Sequence, residues 1–372
     1  MRELTVAAAL AAGCAVDSSP TTERAELGKL MFADPALSQP AGQACADCHA
    51  PRYAFRDPES DHATSSGAIA SRFGVRNAPS TMYAPFIPEL HFDPIAREYI
   101  GGQFWDGRAA GLEDQAGLPL LNPIEMNNPD KATVVAAVER APYARKFVSA
   151  FGSAAFDDVD AAFSHIAESL ATYERSPVMS PFSSKYDRYL AGLATLTAPE
   201  VRGLAIFEDP ARGNCASCHP SRPGPDGAPP MFTTYGYANL GLPRYANNEF
   251  YALPRELNPE GVRYVDHGLM ATVGEAREDG KFRIPTLRDV AKTGPYGHNG
   301  YFASLPYLLD FLNTRDVGSM EVGTCSRVQA DATCAWPAPE VAANLDDRVG
   351  HLGLTSDELD ALAAFLGTLT DR

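Results

Sequence analysis

The stretch "ACADCHAP", residues 44–51, places Cys45 and Cys48 two residues apart and His49 directly after the second cysteine. Three chemistries use a Cys-x-x-Cys pair: a structural zinc site, a thioredoxin-like redox pair and the covalent attachment of haem c. Only the third also requires the adjacent histidine. The choice among them decides the fold, because a large apolar cofactor replaces side chains in a protein core.

The motif occurs a second time, at Cys215, Cys218 and His219, after a similar preceding segment. The stretch "ELGKLMFADPALSQPAGQACADCHAP" (26–51) resembles "EVRGLAIFEDPARGNCASCHP" (200–220). Three features recur at equivalent places: Gly28 and Gly203, Phe32 and Phe207, and Asp34-Pro35 and Asp209-Pro210. The chain therefore looks like an internal duplication of one helix–turn–motif unit.

Haem c attachment explains every residue of both motifs. The two thiols add to the porphyrin vinyl groups, and the adjacent histidine ligates the iron. A four-thiolate zinc site joining the two pairs would leave His49 and His219 without a role. A thioredoxin pair would need a βαβ context, which the sequence does not show. We predict two covalently bound haem c groups, with His49 and His219 as iron ligands.

The predicted fold class is mostly α, with two cytochrome c-like haem domains joined by long loops. The segment 158–176 carries Val159, Phe163, Ile166, Leu170 and Tyr173 on one stripe at helical spacing. Capping boxes at Thr197/Glu200 and Thr355/Glu358 start two further helices. We predict domains over 20–180 and 190–372, with the boundary in the Pro- and Ser-rich segment 176–185.

Length and charge limit the classes of partner. The chain has 372 residues, 45% of them hydrophobic, which is enough for two domains that each bury a core. Its net charge of −16 argues against nucleic acid and anionic membrane surfaces, because the electrostatic contribution would be repulsive.

The N-terminus and the remaining cysteines indicate export. Residues 1–14 resemble a lipoprotein export signal: after the charged Arg2 and Glu3, a short apolar run ends at Cys14, and it is too short to span a bilayer. An ordinary signal peptide or a misassigned start are the alternatives. Cys325 and Cys334 are predicted to form a disulfide, with two free thiols as the alternative. We expect a periplasmic protein with a lipid anchor at Cys14.

Three blocks resemble the bacterial di-haem cytochrome c peroxidases and their MauG-like relatives. They are "RNAPS" (76–80), "FWDGRAAGLEDQAGLPLLNPIEM" (104–126) and "KFRIPTLRDVAKTGPYGHNGYFASL" (281–305). The likeness runs from about residue 22 to the C-terminus and includes both haem motifs in order. The block "ANLGLPRYANNEFYALP" (238–254) is similar to a MauG-like subgroup.

The resemblance implies roles for residues around the haems. Trp105 matches the tryptophan between the two haems, which relays electrons. Gln115, Pro119 and Glu125 match the residues of the distal pocket, and Glu125 is implied as the acid/base that moves a proton between the peroxide oxygens. Without the resemblance, Trp105 would be read as a core aromatic and Glu125 as a helix-start residue.

The resemblance also implies a calcium site. Asn77 and the backbone carbonyls of Thr293 and Pro295 match the ligands of an inter-domain Ca²⁺, and oxygen ligands suit this hard cation. One Ca²⁺ is therefore expected beside the two haems.

Two positions depart from the family pattern. The peroxidases have a second histidine on the N-terminal haem, where this chain has Ile69, and the nearby His62 and His91 do not match that position. We therefore expect an open N-terminal haem. The far-side ligand of the C-terminal haem is Met in peroxidases and Tyr in MauG-like proteins, but that position is Leu312 here. Either this haem is five-coordinate or Tyr307 or Met320 substitutes.

Three functions follow from these features. The first is a MauG-like peroxidase that reduces hydrogen peroxide with electrons from a small cytochrome c or copper protein. The second is an oxidase that extracts electrons from a residue of a partner protein. The third is a non-catalytic electron carrier or haem sensor, which the open iron, Gln115 and Glu125 argue against. No nucleic-acid partner is expected.

Overall fold

The computed structural model describes residues 20–58, 62–317 and 336–372. Helices dominate the regular structure of this part of the chain, which confirms the predicted helical class. The α-helices are α1 (Pro20–Phe32), α2 (Cys45–Cys48), α3 (Leu112–Leu121), α4 (Lys131–Arg140), α5 (Ala144–Phe151), α6 (Val159–Glu174), α7 (Lys185–Leu190), α8 (Ala198–Glu208), α9 (Met270–Val273), α10 (Leu305–Thr314) and α11 (Ser356–Gly367).

Strands in the described ranges are few and short. The strands β1 (His91–Asp93) and β2 (Glu98–Ile100) pair antiparallel, and so do β3 (Tyr237–Ala238) and β4 (Phe282–Arg283). Short 3₁₀ helices punctuate the long loops, at Pro35–Leu37, Pro51–Tyr53, Ala84–Phe86, Pro177–Met179, Cys215–Ser217, Glu249–Ala252, Gly261–Arg263 and Ala276–Glu278. Across the same ranges, no helix combines the length and apolar character needed to cross a membrane.

The crossing of α1 and α6 organises the first half of the chain. A Cβ atom built on Gly28 would lie 1.9 Å from the carbonyl oxygen of Ser169 and 2.9 Å from the Cβ of Tyr173. Only glycine permits such a close approach of two helix backbones. The predicted stripe of α6 is buried except at Val159, which is 41% exposed because it begins the helix beyond the crossing.

The crossing of α8 and α11 repeats this arrangement in the second half. A Cβ atom built on Gly203 would lie 2.0 Å from the carbonyl oxygen of Ala361 and 2.7 Å from the Cβ of Phe365. Both helices begin with the predicted capping boxes, in which Glu200 and Glu358 accept from the backbone N–H of the N-cap threonines. The two halves therefore share the same close helix contact.

Buried side chains form two large clusters. The first packs α1, α3, α4, α5 and α6 around side chains such as Leu27, Phe147 and Ile166. The second packs α8, α10 and α11 around Phe207, Phe302 and Phe365. The clusters separate near the predicted boundary 176–185, and the domain limits themselves stay a prediction.

Buried ion pairs hold the long loops between these clusters. Arg76 forms a bidentate pair with Asp266, with both N···O distances 2.7 Å, and a further pair with Asp106. Such forked pairs fix geometry as well as charge. The loops 76–106 and 264–284 are thereby tied together beside both cysteine motifs.

Candidate functional site

The first cysteine motif folds into a single helical turn. The carboxylate of Asp47 accepts from the backbone N–H of Ala44 at 2.7 Å, and His49 N–H donates to the carbonyl of Cys45 at 2.8 Å. The imidazole Nδ1 of His49 lies 3.2 Å from the carbonyl oxygen of Phe55. A carbonyl oxygen only accepts, so Nδ1 carries the proton and Nε2 keeps a lone pair.

The second motif has the same geometry. His219 N–H donates to the carbonyl of Cys215 at 2.9 Å, and its Nδ1 donates to the carbonyl of Phe232 at 2.7 Å. Burial lowers the pKa of His49, and it lowers the pKa of His219 to about 4. Both imidazoles are therefore neutral near pH 7, which is the form of histidine that ligates a metal ion.

In the described part of the chain, no disulfide joins the four motif thiols. Burial raises the pKa of Cys45, Cys48 and Cys215 to about 12, and it raises the pKa of Cys218. In the part of the chain that the structure describes, no group of three or more His, Cys, Asp or Glu side chains is placed to hold a metal ion. The alternative of a zinc site that joins the two motifs is therefore not formed among these residues.

Each motif opens onto a cavity of its own. The first cavity, at Cys45 and Cys48, measures about 200 Å³, and the second cavity, at Cys215 and Cys218, measures about 280 Å³. Apolar side chains make up most of the wall in both, in the second case many leucines. A thiol pair, one neutral imidazole and an apolar wall together are the donor set that a haem c takes. The residues fit this group in both cavities.

The two cavities share part of their walls, and Trp105 lies on both. Its indole N–H donates to the carbonyl of Asn77 at 2.8 Å, and its own carbonyl accepts from the backbone N–H of Arg283 at 2.8 Å. The ring is therefore fixed between the two motifs, where the relay was predicted.

Arg283 supplies a buried cation to the same shared wall. It is 7% exposed, and its Nε donates to the carbonyl of Phe104 at 3.1 Å. No carboxylate of the described chain forms an ion pair with it, and burial lowers its pKa. A buried guanidinium needs an anion. The carboxylates that a haem carries on its edge would meet this need.

The predicted distal residues meet in the first cavity. Gln115 and Pro119 come from α3, and Glu125 comes from the turn after it; all three line the cavity wall with His49. Burial raises the pKa of Glu125, and Arg108, which lies on the same wall, opposes that rise. The cavity thus combines a neutral imidazole with a carboxyl group whose proton is held more tightly than usual.

Comparison with known proteins agrees with this geometry. A family model described as di-haem cytochrome c peroxidase matches residues 22–195. The chain is 41% identical to the methylamine utilization protein MauG of Paracoccus denitrificans over 97% of its own length and 92% of that protein. The chain belongs to the di-haem cytochrome c peroxidase and MauG family. It is accordingly an oxidoreductase of the cytochrome c peroxidase family.

Solved structures of this family have the same fold. A variant of the diheme peroxidase BthA from Burkholderia thailandensis superposes with a TM-score of 0.80 at 33% identity, covering 96% of this chain and 90% of that one. A MauG-like protein associated with microbial copper homeostasis superposes with a TM-score of 0.68 at 28% identity, covering 94% and 90%.

The residues implied for calcium are partly assembled. The side-chain amide of Asn77 lies 2.7 Å from the carbonyl oxygen of Pro295, drawn with its nitrogen donating. Thr293 and Pro295 both line the second cavity beside Asn77. With its amide turned, Asn77 would present an oxygen next to the Pro295 carbonyl, a pair of ligands that Ca²⁺ accepts. The calcium site stays a prediction.

No second histidine lines the described wall of the first cavity. His62 is half-exposed, with Nδ1 3.0 Å from a carboxylate oxygen of Glu249, and His91 is exposed. Ile69, which the resemblance aligns with the family's second histidine, is not among the residues that line this wall. The sulfur of Met126, which is part of the buried core, also lies on this wall.

The second cavity has Leu312 on its wall, the residue that the resemblance aligns with the family's far-side ligand. Tyr307 is buried in α10 against Phe302 and Trp336 and is not among the residues that line this cavity. Met320 lies outside the described residues, as do Cys14, Cys325 and Cys334, so the sixth ligand, the lipid anchor and the disulfide stay predictions.

Three buried polar residues of the cavity walls were missed. Arg283 and His298 lie within the sequence blocks that resemble the family, but the resemblance assigned them no role. Glu174 directly follows the apolar stripe of α6, and helical spacing alone assigned it no function. His298 stacks on Phe282 with ring centroids 3.5 Å apart, and its Nε2 has no hydrogen-bond partner. A sequence signal existed only for Glu174, a charged residue next to a buried helical stripe.

Proposed function

We propose that this protein is a MauG-like di-haem peroxidase. The observation that carries the proposal is the composition of the first cavity: Gln115, Glu125 and His49 line it together, and His49 is its one histidine among the described residues. Two haem c groups are proposed, held at Cys45/Cys48 and Cys215/Cys218. When bound, the first haem supplies an iron site for hydrogen peroxide, and the second supplies an electron store.

In this proposal Glu125 moves the proton. Reduction of one hydrogen peroxide to two waters consumes two electrons and two protons, and cleavage of the O–O bond requires a proton on the departing oxygen. Glu125 takes the proton from one peroxide oxygen and gives it to the other. Its raised pKa supports this role, because a general acid/base works best when its pKa approaches the working pH. Gln115 would orient the peroxide by a hydrogen bond.

Electrons would cross between the cavities at Trp105, whose ring lies on both walls. The donor is proposed to be a small cytochrome c or copper protein. The net charge of −16 favours a donor with a basic docking face.

A MauG-like oxidase is the second candidate, favoured by the 41% identity to a methylamine utilization protein. The two electrons would then come from a residue of a partner protein. Leu312 on the second wall weakens this candidate, because a leucine cannot take the place of the family's tyrosine ligand. A non-catalytic carrier or sensor would leave the placement of Gln115 and Glu125 unexplained.

We also propose the wider organisation. The repeated helix crossing at Gly28 and Gly203 supports an internal duplication and domains over 20–180 and 190–372. Haem c is attached outside the cytoplasm, which supports export by residues 1–14, a periplasmic location and a lipid anchor at Cys14. One Ca²⁺ at Asn77, Thr293 and Pro295 completes the proposal.

Peroxide consumption with a chemical electron donor tests this function. The purified protein, reduced by ascorbate through a small mediator, should consume one peroxide for every two electrons. A carrier or sensor would consume peroxide no faster than the mediator alone. An oxidase would turn over peroxide repeatedly without ascorbate only when a partner protein is present to supply the two electrons.

A further inference from the structure

The helix α6 ends on a buried carboxyl group that the proposed reaction leaves unused. Glu174 is 5% exposed and lines the first cavity, and its Oε2 is buried without a hydrogen-bond partner. Burying an unpartnered carboxyl group costs stability, and more so when it is ionised. A carboxyl group that lies next to a cavity at the expense of stability is a candidate for a functional role.

The second half of the chain supplies an internal comparison. Ser169 and Ala361 meet the glycines of the two helix crossings, and Tyr173 and Phe365 follow one turn later. Glu174 directly follows Tyr173, and Leu366 directly follows Phe365. Leu366 is likewise buried and lines the second cavity. At this equivalent position, therefore, the first cavity has a carboxyl group and the second has a leucine.

We propose that Glu174 takes up one proton for each electron that enters the haem of the first cavity, and so keeps the charge of that buried site constant. The inference rests on the proposed haem c at Cys45 and Cys48. In the balanced step, one electron from an external donor reduces the ferric iron to ferrous, and one solvent proton binds the Glu174 carboxylate. Oxidation returns both.

The physical reason is the cost of uncompensated charge. A buried site that gains an electron gains one negative charge, and the penalty is large where the dielectric constant is low. A carboxylate close by removes the penalty by accepting a proton. Burial raises the pKa of Glu174 to about 8 before any haem is counted, and a ferric iron nearby would lower that pKa again. The ferrous site carries one positive charge fewer and would lower the pKa less, so the carboxyl group binds its proton more tightly in the reduced protein.

Few charged side chains surround Glu174. Arg175, its neighbour on α6, lowers its pKa, and Glu113 on α3 raises it; these two pair with each other at the surface at 2.6 Å. On the cavity side stand the thiol of Cys45 and, farther along the wall, Glu125. The charged side chains of α1 nearest to Glu174, such as Lys29, are exposed. The paired charged side chains of α4, such as Lys131, form their ion pairs at the opposite end of α6.

The test is a redox titration of the holoprotein, followed by absorbance, from about pH 6 to about pH 9. We expect the midpoint potential of the first haem to fall by about 59 mV for each tenfold drop in proton concentration. In Glu174→Gln that slope should flatten, and in Glu174→Leu, which copies Leu366, it should also flatten. The second haem gives an internal control, and Glu113→Gln, which removes a surface carboxylate nearby, should keep the slope.

Infrared difference spectra between the reduced and the oxidised protein give an independent readout. The C=O stretching band of a protonated carboxyl group should appear on reduction and vanish in Glu174→Gln. An unchanged slope and band in Glu174→Gln, with both haems present, would overturn the inference and assign the proton to Glu125 or to a haem carboxylate. Haem content is measured first, so a chain without haem at Cys45 and Cys48 would refute the proposed function separately.

Discussion

At the scale of single residues, the proposed peroxide reaction in the first cavity depends on the carboxyl group of Glu125. It shares a wall with Gln115 and His49, and burial holds its proton more tightly than in water. A glutamine at this place would keep the shape and the hydrogen-bonding capacity of the side chain but could not carry a proton between oxygens.

We therefore expect Glu125→Gln to react with hydrogen peroxide about 10²- to 10⁴-fold more slowly, which is the usual contribution of a general acid/base. The rate is measured by rapid mixing of the purified protein with peroxide. Glu113→Gln, which removes a carboxylate at the surface of α3, is the matched control and should react at the original rate. A Glu125→Gln protein that keeps that rate would exclude Glu125 as the proton carrier.

The two tryptophans of the chain allow a paired test of the relay. Trp105 lies on both cavity walls, whereas Trp336 packs against Phe311 in the second core cluster and lines neither cavity. We expect Trp105→Phe to slow electron transfer between the haems and Trp336→Phe to leave it unchanged. The rate is followed by absorbance after one haem is rapidly reduced. Equal rates in both variants would contradict a relay at Trp105.

At the scale of helices, Gly28 and Gly203 set the short distance between the two crossing helices in each half of the chain. A methyl group at Gly203 would meet the backbone of α11 at 2.0 Å, whereas at Gly367, the last residue of α11, nothing lies within 4 Å. We expect Gly203→Ala to lower the free energy of unfolding by about 1–3 kcal/mol, as overpacking does. Gly367→Ala should change it by less than about 1 kcal/mol. Urea unfolding of both variants measures the difference, and equal values would show that the crossing tolerates a methyl group.

Helices were the part of the fold that the sequence could predict. The boundaries of α6, α8 and α11 follow from apolar periodicity and from capping boxes at Thr197 and Thr355, which are local features. The long loops carry no periodicity, because ion pairs such as Arg76 with Asp266 hold them in place. Those contacts join distant residues and leave no local pattern.

The candidate site was predictable for a different reason. The two Cys-x-x-Cys-His motifs by themselves indicate haem c attachment. The family resemblance singled out Trp105 and Glu125, and both line the first cavity. Arg283 could not be found in this way, because its meaning depends on being buried without a carboxylate partner between two cavities. Glu174 became visible only when the helix crossings showed that it corresponds to Leu366.

At the scale of the whole molecule, hydrogen bonds of Asp371 near the C-terminus connect the two halves of the chain. Asp371 accepts from the hydroxyl of Tyr83 and from the backbone N–H of Ser183, and its own N–H donates to Asp289 at 2.9 Å. Asp289 is buried and has one oxygen, Oδ2, without a partner. Burial first, and then the charge of Asp371, raise the pKa of Asp289 to about 7.

The buried carboxyl group of Asp289 in this contact should make the free energy of unfolding depend on pH. The folded state holds the Asp289 proton up to about pH 7, whereas the unfolded chain releases it near pH 4, so the folded state binds more protons between these values. Stability from this group is therefore lost as the pH rises through that window. We expect Asp289→Asn to lose less stability than the unmodified protein between about pH 5 and about pH 8. Parallel slopes in urea unfolding would contradict the prediction.

We propose that the first haem takes peroxide without prior reduction, because the resemblance aligns Ile69 with the family's second histidine and neither His62 nor His91 lines the first cavity. The most direct measurement is stopped-flow absorbance of the fully ferric protein mixed with one equivalent of hydrogen peroxide. The account predicts a fast change of the haem absorbance that consumes the peroxide. A protein that stays silent until one haem is reduced would contradict it, and would place a sixth ligand on the first haem.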